Sequence, residues 1–147
     1  MAGPSGNAMG AAKRAAKREA RAKKPRADEI PFMRELLLQL PKLPGVRAWR
    51  QNVGTVERKA GGFFHSGLPK GAADIGGIVA PGGWILQIET KAEGGRLSLE
   101  QEAFARMISE YGGIYLQVNA EDGVEAAVER VRLQIGIRRT RLASELL

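Results

Sequence analysis

Residues 66–101 read SGLPKGAADIGGIVAPGGWILQIETKAEGGRLSLEQ, and this stretch decides the fold. From Trp84 to Lys91 the side chains alternate, so Ile85, Gln87, Glu89 and Lys91 share one face of a strand and Trp84, Leu86, Ile88 and Thr90 the other. The Pro81-Gly82-Gly83 turn ahead of it makes the run from Asp74 the partner strand of a hairpin. Fourteen residues lie between Asp74 and Glu89, enough to cross the turn and come back. That spacing lets two carboxylates meet at one point.

Paired carboxylates on neighbouring strands offer hard oxygen ligands of the kind Mg2+ or Mn2+ takes together with retained water. Lys91 lies on the face of Glu89 and sets an ammonium beside that metal. There it can orient or deprotonate an attacking water, or hold a phosphate. Such a set suits phosphodiester hydrolysis, in which a metal acidifies water and neutralises charge on the phosphoryl oxygens.

Gly67-Leu68-Pro69-Lys70-Gly71 leads into Asp74-Ile75, followed by Ile88-Glu89-Thr90-Lys91, then Gly95-Arg96-Leu97-Ser98 and Gln101. In this ordered set the chain resembles the VRR-NUC branch of the PD-(D/E)XK nuclease superfamily, stand-alone phage or bacterial type. The likeness extends more loosely over residues 28–128. It departs at Ala73, where the superfamily nominally has proline. The resemblance implies a restriction-endonuclease-like α/β core: helix, three-stranded meander, helix, strand and helix about a mixed central sheet. It implies Asp74, Glu89, Lys91 and Gln101 as catalytic residues. The metal, Mg2+ or Mn2+, would rest on Asp74, Glu89, the Thr90 backbone carbonyl and a first-helix glutamate, Glu29 in preference to Glu35. Arg50, Asn52 and Gly54 match a family pattern in the first strand, which places Arg50 and Asn52 against DNA. Related stand-alone domains resemble Holliday junction resolvases, so the expected activity is a metal-dependent, structure-selective DNA endonuclease. A junction needs two symmetric incisions, and a homodimer follows.

The 147 residues, 44% hydrophobic, suit one domain with a modest core. The absence of cysteine excludes disulfides, thiolate metal sites and cysteine nucleophiles. No window approaches 18 apolar residues, so no membrane span is expected, and the expected location is the cytoplasm of a bacterium or phage-infected cell. None of the glycines leads into Lys-Ser or Lys-Thr, which sets aside a nucleotide cofactor.

The net charge of +7 sits entirely in residues 1–26, which hold 8 Lys and Arg against one Glu. This reads as a flexible basic arm, disordered or flickering as a helix, with Lys13, Arg14, Lys17 and Arg18 as DNA contacts. A merely solubilising tail is the equal alternative. Residues 27–135 form the expected nuclease domain. Asp28 caps a helix from Glu29 to about Leu40, with Ile30, Met33, Leu36, Leu37 and Leu40 on its apolar face.

Residues 46–53 alternate as the first strand, and 55–70 form a glycine-rich loop whose Lys70 is a further DNA contact. The lone histidine, His65, reads as incidental. Gly76-Gly77 points to a bulge or a close approach. Ser98-Leu99-Glu100-Gln101 is a capping box, which by itself explains Gln101. A strand at 114–118 runs parallel to the Trp84 strand, a last helix covers 124–133, and 136–147 is a basic tail, either DNA surface or dimer contact. The competing function is a non-catalytic basic nucleic-acid-binding protein whose acidic triplet is an ordinary strand end.

Overall fold

The computed structural model describes residue 10 and residues 29–53, 55–57, 60–65 and 67–147. Within these the chain is mixed α/β. Helix α1 (Glu29–Gln39) leads through a 3-10 turn into strand β1 (Val46–Arg50). A small hairpin, β2 (Thr55–Glu57) and β3 (Phe63–His65), precedes β4 (Ile75–Val79) and β5 (Trp84–Lys91). Helix α2 (Leu99–Glu110), strand β6 (Ile114–Asn119) and helix α3 (Val124–Glu145) complete it. The main sheet has the order β1-β4-β5-β6, antiparallel except for the β5–β6 pair. That pair is parallel because α2 carries the chain back to the starting edge.

Register assigns the two sheet faces. Ile75 pairs with Ile88, Gly77 with Leu86 and Val46 with Val79, and these side chains look toward α1 and α3. Phe32, Met33, Leu36 and Leu40 of the first helical segment meet Ala127, Val131 and Ile135 of α3 over that face. Eleven residues are too few for a stable isolated helix, so α1 is held by this burial. Leu36 and Leu40 are fully buried, each worth roughly 1.5–3 kcal/mol. Phe32 joins the face in addition to the expected positions, while Ile30 stays half-buried. The opposite sheet face carries Gln87, Glu89 and Lys91, and α2 packs there through Phe104 and Ile108 on Ala72 and Tyr115.

Two expectations change. The 55–70 loop contains the β2–β3 hairpin, with Thr55 opposite His65. The last helix does not stop near Leu133 but runs to Glu145, so residues 136–145 of the basic tail are its final turns. Gly136 alone costs only about 1 kcal/mol in a helix. Buried Ile135 offsets it, as do Arg138, whose Nη2 donates to Gly113 O at 2.8 Å, and Arg139, whose Nη2 donates to Pro44 O at 2.6 Å and Ala80 O at 2.9 Å. No helix among the described residues is long and apolar enough to cross a membrane.

Candidate active site

Asp74 stands at the entrance to β4, and a glycine lets it get there. Gly71 has φ +81°, and a Cβ on it would lie 2.2 Å from the Glu100 carbonyl oxygen, so only glycine lets this segment press against the first turn of α2. Asp74 Oδ2 accepts from Thr90 N at 2.9 Å and from Thr90 Oγ1 at 2.8 Å. Its backbone oxygen accepts from Gln51 N at 2.7 Å. The carboxylate is thus fastened to the end of β5, where Glu89 lies.

Glu89 and Lys91 point to the α2 face and are buried, 3% and 5% exposed. Lys91 Nζ lies 2.7 Å from Glu89 Oε1 and donates to Gln101 Oε1 at 3.0 Å. Gln101 Nε2 in turn donates to Glu89 Oε1. The same Gln101 closes the capping box of α2: its Oε1 accepts from Ser98 N at 2.9 Å, and its backbone N donates to Ser98 Oγ at 3.2 Å. Capping and site-building are therefore one arrangement, not alternatives.

The other Glu89 oxygen, Oε2, is buried without a hydrogen-bond partner. Burial, followed by the nearby Asp74 charge, raises the Glu89 pKa to about 7, against the opposing pull of Lys91 and Gln101. Tyr115, on β6 beside Gln87, has a hydroxyl that is also buried and unpartnered. Its phenol is raised above the ordinary range, first by burial and then by Glu89 and Asp74. Negative charge is concentrated here beyond what Lys91 balances.

A small divalent cation fits that imbalance. Among the described residues no group of three or more His, Asp or Glu side chains is placed to hold a metal. The available donors are two carboxylates, and Mg2+ is commonly held by one or two carboxylates with several waters retained. The unpartnered Glu89 Oε2 is the atom that such an ion would satisfy. Glu29, the preferred first-helix glutamate, reaches the end of the same strand: its Oε1 accepts from Ala92 N at 2.6 Å. Glu35 is exposed and accepts from Gln39 Nε2 at 2.8 Å, away from the site.

Arg50, Asn52 and Lys70 are exposed and stand outside this hydrogen-bonded cluster. Lys13, Arg14, Lys17 and Arg18 lie outside the described residues, as does Gly54. Gln51 and Gln87 are additions to the expected set. Gln51 Nε2 donates to Ala73 O at 3.0 Å and to Gln87 Oε1 at 2.7 Å. It crosses Gly76, where a Cβ would lie 2.7 Å from the Gln51 side chain. The glycine pair therefore marks a close approach, and the β4 register is continuous with no bulge. No protein-family model, curated protein or solved structure matches this chain.

Proposed function

We propose that the chain is a metal-dependent DNA endonuclease with a restriction-endonuclease-like core, selective for branched DNA and acting as a homodimer. The observation that carries this reading is the hydrogen-bonded set of Glu89, Lys91 and Gln101, with Glu89 Oε2 buried and unpartnered and the Asp74 charge near enough to act on Glu89. Asp74 and Glu89 would hold Mg2+ or Mn2+. When bound, the ion supplies an acidified water and charge neutralisation at the phosphoryl group. Gln101 holds Glu89 through Oε1, which leaves Oε2 as the oxygen that would take the ion. Lys91 commits two of its three N–H donors, to Glu89 and Gln101, and directs the third at the attacking water or a phosphate oxygen. Thr90 fixes Asp74 through Oδ2, so that Oδ1 is the oxygen that would hold the ion.

The test is cleavage of a four-way junction, a flap, a duplex and a single strand with Mg2+, Mn2+ or EDTA, beside Glu89→Gln. Paired symmetric nicks in the junction, lost with EDTA and in the variant while binding persists, are expected. Salt-sensitive binding without cutting of any substrate assigns the chain to the non-catalytic binding class.

A further inference from the structure

Helix α2 covers only part of the face that carries Glu89. On the uncovered part, register sets Arg47 of β1 opposite Ile78 of β4, and Ile78 opposite Ile85 of β5. Trp49 sits on the same face opposite Gly76. Trp49, Ile78 and Ile85 are 50%, 47% and 45% exposed. Isolated exposed apolar side chains are ordinary, but Ile78 and Ile85 in register, with Trp49 diagonal to Ile78 on the next strand, form one patch.

The patch joins the site at one end. Gln51, two residues beyond Trp49, binds Gln87 and the backbone at Ala73 and Asp74. Ile85 precedes Glu89 by four residues, roughly 13 Å along a strand. At the other end a groove of about 340 Å³ opens between Arg47, Ile78 and Pro81, near the lower end of the usual ligand-pocket range of roughly 300–1,000 Å³. None of the residues lining patch or groove is acidic, and the ion pairs among the described residues include neither Arg47 nor Arg50.

We propose that Arg47, Trp49, Ile78 and Ile85 form the seat of an unpaired nucleobase of the DNA substrate, beside the scissile phosphate. The proposal rests on the nuclease reading and names its substrate class: DNA in which a base is unpaired, or unstacks at a branch point, within a few nucleotides of the cut. In an intact duplex both faces of each base are stacked, so an exposed indole can take a base face only where the base is splayed out. Ile78 and Ile85 floor the seat, and the guanidinium of Arg47 takes the adjoining phosphate. A second copy is the poorer occupant. In a two-fold contact the same patch meets itself, which brings the uncompensated arginines of both copies together.

The experiment measures binding in EDTA to gapped or flapped DNA and to a blunt duplex of the same sequence, for wild type, Trp49→Ala and Trp49→Phe. Stacking of one base on an aromatic ring predicts that Trp49→Ala weakens binding to the gapped DNA about 5- to 100-fold more than to duplex. Trp49→Phe restores most of it. Gapped DNA should also quench a component of the wild-type tryptophan fluorescence that Trp49→Phe lacks. Equal losses on both DNAs, or a dimer that dissociates on sedimentation of Trp49→Ala without a change in DNA preference, overturn the proposal. Because metal is absent, failure of the nuclease reading shows separately, as wild type that cuts nothing in Mg2+ or Mn2+.

Discussion

Gln101 Nε2 is hydrogen-bonded to Glu89 Oε1, while Gln101 Oε1 accepts from both Lys91 Nζ and Ser98 N. One amide thereby ties the start of α2 to a buried carboxylate on β5. Gln101→Ala keeps the Ser98 cap on its backbone N but removes the reciprocal bond from Ser98 N, which should cost about 1 kcal/mol of stability. It should also lower kcat/KM for DNA cleavage at least tenfold. Ser98→Ala loses the cap but leaves the Glu89 contact, so its activity should fall much less at a similar melting temperature. Equal activities for the two variants would mean that Gln101 only completes the capping box.

The Glu89 carboxyl has a pKa of about 7 in the fold against 4.5 unperturbed. The folded state therefore holds this proton more tightly than the unfolded chain does. The stability it contributes is full below about pH 4.5 and is lost as pH rises through 7. The loss is on the order of 3 kcal/mol over that window, and Glu89→Gln escapes it. In EDTA the variant should melt above wild type at pH 8, with the gap closing toward pH 5. A gap that stays constant with pH contradicts the buried carboxylate pair.

Metal and proton compete for the same carboxylate, so Mn2+ or Mg2+ should stabilise the protein more at pH 8 than at pH 6. At a hundred times its dissociation constant the ion adds about 2.7 kcal/mol. Asp74→Asn and Glu89→Gln should each abolish the thermal shift. Shifts that persist in both variants would place the ion elsewhere.

Gly71→Ala drives a methyl group into the Glu100 carbonyl at a positive φ. Overpacking and strain together should cost roughly 1–3 kcal/mol, read as a lower urea midpoint. Gly83→Ala has φ +65° but open space around it, so strain alone applies, about 1–2 kcal/mol. The Gly71 variant should also lose cleavage, because Asp74 follows three residues later.

Residues 1–26 carry the whole charge excess. Deleting them should weaken DNA binding and flatten its salt dependence, by about 0.9 in the slope of log K against log salt for each phosphate the arm would otherwise neutralise. An unchanged slope identifies the arm as a solubiliser.

The hairpin geometry, the parallel β6 and the capping box were legible because each is written in local alternation, turn residues or spacing. The pairing of Glu89 with Lys91 on one strand face was legible for the same reason. Gln51, Gln87 and Tyr115 were not, since their roles depend on which strands become neighbours and no local pattern distinguishes a site glutamine from a surface one. Gly76 held the only hint, by making room for Gln51. The length of α3 was hidden because its last turns are stabilised by Arg138 and Arg139 reaching distant carbonyls, which a periodicity confined to the helix cannot register.

Arg139 clasps two carbonyls contributed by turns that lie 95 and 59 residues earlier in the chain. On a ribosome those turns emerge long before their clasp does. The edge strand and the hairpin that carries Asp74 and Glu89 must therefore wait, their far ends unlatched, until the last helix is released to close over them. Premature termination before this arginine would leave a sheet with its buried acidic cluster in place and its opposite end open to fraying.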